Sequence, residues 1–263
     1  MLFPMKKKSG KSTQTLAPEH LRFAVLAADA ALFTIKDGSL LIRTIEVNRP
    51  PHYVKVSGLP GGLLLQEETA EDAARRHVGD KTGVDPNKVY FEQLYTFSEI
   101  ERDPRGRVVA VAYLGLVPWE KLSEKERGSI GASRWVPVQH ATHLAYDHDE
   151  VLSMAIARLR SRITYTTLIG KLMPKEFTLS ELEAAYRTVL RTKLDKRNFR
   201  KKLHKLDILT EVPRKKIGGR ARPAQQVRRT PARPRGRRAG PRRRRDYRQY
   251  RSEGIANGAR QSG

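Results

Sequence analysis

Apolar residues fall into short alternating or continuous blocks along the first half of the chain. Residues 21–33 and 39–47 read as two strands joined by an Asp37-Gly38 hairpin turn. Two more strands are predicted at 89–97 and 107–116, with Asp103-Pro104-Arg105-Gly106 turning between them. The spacing changes to that of a helix over 70–81, behind a Gly61-Gly62 loop, and again over 149–160. This is an α+β pattern. Further on, Leu179, Leu182, Ala185, Tyr186 and Val189 recur at helical spacing, and Phe199, Leu203 and Leu206 follow in the same rhythm. Thr178-Leu179-Ser180-Glu181 has the spacing of a capping box, and Asp195 stands where an N-cap would open the next helix. Residues 208–212 form a short strand candidate, Gly218-Gly219-Arg220 a turn, and 224–227 a last strand.

Composition narrows the classes. A chain of 263 residues is long enough to bury a core without covalent staples. It has no cysteine, which excludes a disulfide framework, a cysteine-based zinc site and a thiolate nucleophile. No apolar run is long enough to span a bilayer, and residues 1–11 are basic without an apolar stretch behind them. A cytoplasmic protein with no membrane partner is expected.

The formal charge of +24 is unevenly spread. Residues 1–159 hold 21 basic and 20 acidic side chains, residues 160–227 hold 18 and 6, and residues 228–263 hold 13 and 2. The tail, with its Arg242–Arg245 run and few aliphatic residues, is predicted to be disordered, because it cannot bury enough apolar surface to offset chain entropy. The middle segment has the order helix, helix, helix, strand, turn, strand of a winged helix. On its third helix, roughly 196–206, Phe199, Leu203 and Leu206 would face the core. Lys196, Arg197, Arg200, Lys201, His204 and Lys205 are then the candidate contacts to double-stranded DNA, with Arg220 and Arg222 on the wing. A solvated charged face is the alternative for such a helix.

The stretch from Gly62 carries a second signal. Gly62 is followed after five residues by Glu68, after seven more by Arg76, and then by His77-Val78-Gly79-Asp80-Lys81-Thr82-Gly83-Val84. With the Leu59-Pro60-Gly61-Gly62 lead-in, this resembles the Nudix box. The resemblance implies a helix whose glutamates hold Mg²⁺ or Mn²⁺ against a diphosphate, since hard cations take oxygen ligands. Here the three glutamate positions carry His77, Asp80 and Lys81, so one carboxylate remains and a fixed cation stands where a metal would sit. Diphosphate hydrolysis is therefore expected to be weak or absent, with no catalytic residue and no metal ligand assigned. Mg²⁺ would enter only with residual hydrolysis. Glu68 and Arg76 read first as a pair bracing the loop on the helix. A scaffold of this kind can still bind a nucleoside diphosphate, and Gly62, Glu68, Arg76, Lys81, Arg102 and Arg107 are the candidate binding residues, with Arg105 adding charge.

Taken with Glu92-Gln93-Leu94, residues 102–109, Leu144-Ala145-Tyr146-Asp147-His148, residues 177–182 and residues 194–203, the chain resembles the Nudix-related transcriptional regulators of NAD metabolism. The resemblance implies a Nudix-like α/β/α sandwich followed by a winged helix-turn-helix, in a homodimer. It implies a regulator of NAD genes, read as a repressor, that binds a palindromic operator and responds to ADP-ribose or a related NAD metabolite. The expected divisions are a flexible N-terminus (1–18), an effector domain (19–150), a DNA-binding domain (151–227) and the basic tail (228–263). Residues 50–57 depart from the family's shorter approach to Leu-Pro-Gly-Gly. Two other readings stay open: an active Nudix hydrolase of a nucleoside diphosphate derivative with a nucleic-acid-binding C-terminus, and a nucleoid- or RNA-associated protein driven by its tail.

Overall fold

The computed structural model describes residues 24–165, 167–192, 194, 195, 197–199, 201, 203, 209–216 and 224–229. The expected disorder of the two ends lies outside them.

The centre is a mixed sheet. Strand β1 (Val25–Lys36) turns back through Asp37-Gly38 into β2 (Ser39–Arg49), with Lys36 paired to Ser39. Both turn residues have positive φ, 47° and 73°, as a two-residue hairpin whose twist matches its strands requires. Strands β3 (Tyr53–Gly58) and β4 (Gly61–Leu63) pair with β2 and β1 respectively. Helix α1 (Ala70–Thr82) follows, then β5 (Tyr90–Phe97) and β6 (Val108–Leu116). Strand β6 lies parallel to β1, in register from Val25↔Val108 to Phe33↔Leu116. A short α2 (Glu124–Arg127) leads to β7 (Arg134–Pro137), which adds to β2. The strand path is β3-β2-β1-β6-β5.

Strand alternation divides β1 between two faces. Ala28, Ala30 and Leu32 pack with Ala73, Ala74 and Val78 of α1, while Ala31 and Phe33 pack on the other side. There they meet Val151, Ala155 and Leu159 of α3 (His148–Tyr165). With helices on both faces, β1 is buried along eight consecutive residues, which is why its sequence runs almost wholly apolar. This is the expected α/β/α sandwich.

Helix α3 is longer than its predicted 149–160, because Ile163 and its neighbours continue the buried stripe. The same core passes without a break into Leu168, Leu172 and Phe177, then into Leu182, Tyr186 and Val189 of α4 (Leu179–Leu190). Thr178 and Glu181 form the expected capping box of α4. A second sheet sets β8 (Phe177–Thr178) against β10 (Ala224–Arg229), which pairs with β9 (Leu209–Lys216). Polar contacts also tie α4 to the first sheet's side of the molecule. Thr188 donates to the Gly38 carbonyl at 3.1 Å, Arg191 to Gln139 at 3.1 Å, and Arg160 of α3 to the Val189 carbonyl at 3.0 Å. Among the described residues no helix is long and apolar enough to cross a membrane.

Candidate functional site

A cavity of about 380 Å³ opens beside the start of α1's loop. Its walls come from β1 (Asp29), the end of β2 (Val47, Arg49), the Leu59–Leu63 loop, and Arg76, His77 and Lys81 of α1. Arg102, Asp103 and Arg105 close another side, and Tyr146 and His148 supply the start of α3.

Helix α1 is locally well specified. Thr69 caps it, its hydroxyl accepting from the Asp72 N–H while its own N–H donates back to the Asp72 carboxylate, and Gly83 ends it in the left-handed conformation. Within it, His77 and Lys81 lie one turn apart on one face. Arg76 makes two bonds to Glu68, at 2.9 and 2.5 Å, and a third to the Leu63 carbonyl at 3.2 Å. Glu68 also accepts from the Leu65 N–H at 2.6 Å. Arg76's guanidinium, helped by that N–H, holds the Glu68 carboxyl down at about 2. The pair therefore braces the 63–68 loop on α1, as its spacing suggested.

The two glycines before the loop leave no room for a side chain. A Cβ on Gly61 would fall onto the Asp29 carboxylate and within 2.9 Å of the Ala28 carbonyl, and one on Gly62 would sit 2.8 Å from His77. That close approach lets Lys81 donate to the Gly61 carbonyl. His77 is buried and donates from Nε2 to the Leu63 carbonyl at 3.1 Å. Burial, with Lys81 and Arg76 nearby, lowers its pKa and favours the neutral ring.

Opposite α1 stands a buried charge network. The Arg102 guanidinium donates to both oxygens of Asp147, at 2.8 and 2.6 Å, and to Asp29 at 3.3 Å. His148 Nδ1 accepts from the Leu59 N–H at 3.0 Å, which turns its Nε2 toward Asp29, 3.7 Å away. Burial alone would raise the Asp29 pKa, but His148 and Arg102 together draw it below the ordinary carboxylate value. The network joins β1, the loop before β6 and the first turn of α3. Tyr146 of the cavity wall meets Tyr53 with centroids 4.6 Å apart and the rings tilted by 57°, and Arg105 lies over Tyr146 while paired to Asp103 at 2.6 Å.

Of the expected binding residues, Gly62, Arg76, Lys81 and Arg102 line the cavity. Glu68 stands behind Arg76 rather than in the cavity. Arg107 is outside it, its guanidinium occupied by the carbonyls of Ser98 and Glu99 at 2.8 and 2.9 Å. Asp29, Arg49, Tyr146 and His148 belong to the site and were not among the expected binders. A lone aspartate inside the apolar run of β1 was the one available sign of Asp29.

The donor set does not fit Mg²⁺. His77 is tied to a backbone carbonyl, and Lys81 is a cation. The Asp80 side chain is two-thirds exposed and 3.9 Å from Arg76. Among the described residues no three His, Cys, Asp or Glu side chains converge as a metal would need.

The DNA-reading candidates are partly described. Residues 197–199, 201 and 203 have helical backbone, opened by Asp195, whose carboxylate accepts from the Arg197 and Asn198 N–H groups at 2.9 and 3.0 Å. Leu203 is buried and Phe199 packs edge-on against Tyr186 at 5.0 Å, while Arg197 and Lys201 are exposed. This is the expected division of faces. Lys196, Arg200, His204, Lys205, Arg220 and Arg222 lie outside the described residues.

Comparison with known proteins matches the NUDIX domain family over residues 24–155 and the NrtR DNA-binding winged helix domain over residues 169–227. The chain is 35% identical over 208 residues to the ADPR-responsive transcriptional repressor NtrR of Acinetobacter baylyi, covering 78% of this chain and 81% of that protein. The crystal structure of Shewanella oneidensis NrtR complexed with a 27mer DNA superposes with a TM-score of 0.70 at 28% identity, over 78% of this chain and 94% of that one. A MutT/nudix family protein of Enterococcus faecalis shares the fold, with a TM-score of 0.63 at 22% identity over 81% and 90% of the two chains.

Proposed function

Since the chain belongs to the family of transcriptional regulators that join a Nudix domain to an NrtR winged helix, we propose that it is a DNA-binding repressor whose Nudix cavity senses ADP-ribose. The observation that carries this reading over the hydrolase is the donor set at the Nudix box. His77 and Lys81 occupy positions where hydrolysis needs carboxylates, while the cavity itself is kept and lined with Lys81, Arg49, Arg76, Arg102 and Arg105. A cavity rich in cations and poor in free carboxylates suits a diphosphate that is held and released unchanged.

The winged helix would present Arg197, Lys201 and their neighbours on the third helix to the major groove, with the β9–β10 wing beside it. We place the protein in the cytoplasm, as a homodimer on a palindromic operator of NAD metabolism genes. Two-fold symmetry then sets half-sites about one helical turn apart, or a multiple of it.

The route between the two sites is helix α3. Its first residue, His148, lines the cavity, and Asp147 just before it is held by Arg102. Its 18 residues span about 27 Å at 1.5 Å per residue and end in the core shared with α4. A diphosphate drawing on Arg102 or Lys81 alters the charge balance at the start of α3. A ligand changes operator affinity only if it favours one arrangement of the helix over another, and we infer that it would do so through this network.

The test is selection of a random duplex library by the full chain, with and without ADP-ribose, and analysis of ADP-ribose incubated with protein and Mg²⁺ or Mn²⁺. An enriched palindrome whose capture changes with ADP-ribose, without formation of AMP and ribose 5-phosphate, is expected. Turnover at ordinary enzyme rates, or no enriched sequence, would refute the reading.

A further inference from the structure

Lys81 occupies an unusual electrostatic position. It sits on the α1 face that lines the cavity, partly open to solvent, and donates to the Gly61 carbonyl. Among the described residues it makes no ion pair, whereas Arg76, Arg102 and Arg105 are each bound to a carboxylate. An ammonium has three donors, so at least two remain for a ligand. Desolvation lowers its pKa, with Arg49, Arg76 and Arg105 adding to the effect and Asp29 opposing it. An entering dianion would relieve that cost, and a divalent cation would add to it.

We propose that Lys81 is a built-in counter-cation, so that this cavity binds the diphosphate of its ligand without a divalent metal ion. The inference rests on the reading of the cavity as a nucleoside diphosphate site. The chemistry is that of a charge-assisted hydrogen bond from Lys81 to phosphate oxygens, with Arg49 at the mouth as a second cation lacking an ion pair among the described residues. The ammonium is fixed to the helix. It supplies attraction without the octahedral oxygen shell that Mg²⁺ demands and that His77 and Asp80 do not offer. It also leaves no metal to activate water, so binding need not lead to cleavage.

The full chain is titrated calorimetrically with ADP-ribose, ADP and inorganic pyrophosphate, each in EDTA, in MgCl2 and in MnCl2. The expected Kd for ADP-ribose in EDTA is within threefold of that in Mg²⁺. Lys81→Met should weaken binding at least tenfold in all three buffers, and Lys81→Arg should recover part of it. A tenfold loss of wild-type binding in EDTA overturns the proposal, as does a folded Lys81→Met variant that binds like the parent. Should Lys81→Met fail to fold, the EDTA comparison of wild type and Lys81→Arg still decides. Metal-free, Lys81-dependent binding of pyrophosphate without binding of ADP-ribose keeps the counter-cation and rejects the nucleotide. No binding of any of the three probes in any buffer rejects both.

Discussion

Replacing Arg102 by methionine tests the buried network that links the cavity to α3. The guanidinium is 3% exposed and holds Asp147 and Asp29, whose side chains are 11% and 6% exposed. Methionine fills much of the volume but leaves two carboxylates with little solvent and without the guanidinium that paired them. Removing one partner of a buried ion pair costs about 3–5 kcal/mol. For a folded body of roughly 200 residues, at about 2–4 °C per kcal/mol, melting should fall by about 6–20 °C. The loss should depend on pH in a stated direction. In the parent, Asp29 is held below its ordinary pKa, so its contribution is present above the unfolded value and is lost as pH falls through the folded one. In the variant, burial acts on Asp29 with one cation fewer and pushes its pKa upward, so protonation relieves the cost. The melting gap between parent and variant should therefore narrow from pH 8 to pH 5. Thermal melts followed by circular dichroism at four pH values measure this, with Arg107→Met as the control, since that side chain is exposed and donates to the carbonyls of Ser98 and Glu99. A variant that melts within 2 °C of the parent, or a gap that widens on acidification, would refute the reasoning.

Other outcomes are equally specific. Gly61→Ala should destabilise by about 1–3 kcal/mol and weaken ADP-ribose binding, because its Cβ collides with Asp29 and the Ala28 carbonyl; melting and titration check both. Arg197→Ala and Lys201→Ala should each weaken DNA binding and, where the side chain meets a phosphate, reduce the salt slope by about 1, with ADP-ribose affinity unchanged. Glu68→Gln should lower the urea midpoint at pH 6. Because the Glu68 carboxyl is held near 2, that gap should close as pH falls from the ordinary 4.5 toward about 2, and a gap that persists there would contradict the Arg76 brace. Deleting residues 230–263 should lessen the salt dependence of DNA binding but keep sequence preference, if the arginines of this segment contact mainly phosphates.

The local features of this fold could be read from the chain. Asp37-Gly38 announced its hairpin, Thr178 and Glu181 their capping box, and Phe199 with Leu203 the inward side of the third helix. Each depends on neighbours within a few residues. Strands β3 and β7 could not be read in the same way. Tyr53–Gly58 buries little and Arg134–Pro137 has only four residues, so neither leaves an alternating pattern long enough to recognise. The site was hardest where its logic is non-local. Arg102 and Arg107 stand five residues apart in one basic cluster, yet one is buried between Asp29 and Asp147 and the other faces carbonyls at the surface. Only the fold brings Asp29 to Arg102, across 73 residues. A lone charge in an apolar strand is a useful but ambiguous sign. Asp29 marks the cavity, whereas Arg43, equally isolated in β2, is fully buried and spends its guanidinium on Ser133 and the carbonyls of Gly128 and Thr82.

The energetic coupling inferred between the Nudix cavity and the winged helix lets each ligand change the other's affinity. It is tested most directly by measuring ADP-ribose affinity for the free protein and for the protein saturated with its selected operator, alongside operator affinity with and without ADP-ribose. Linkage requires the two ratios to be equal, and a coupling of about 1–3 kcal/mol would make each 5- to 150-fold. Equal factors well above one are the predicted result. An ADP-ribose affinity that is the same on and off the operator would contradict the account.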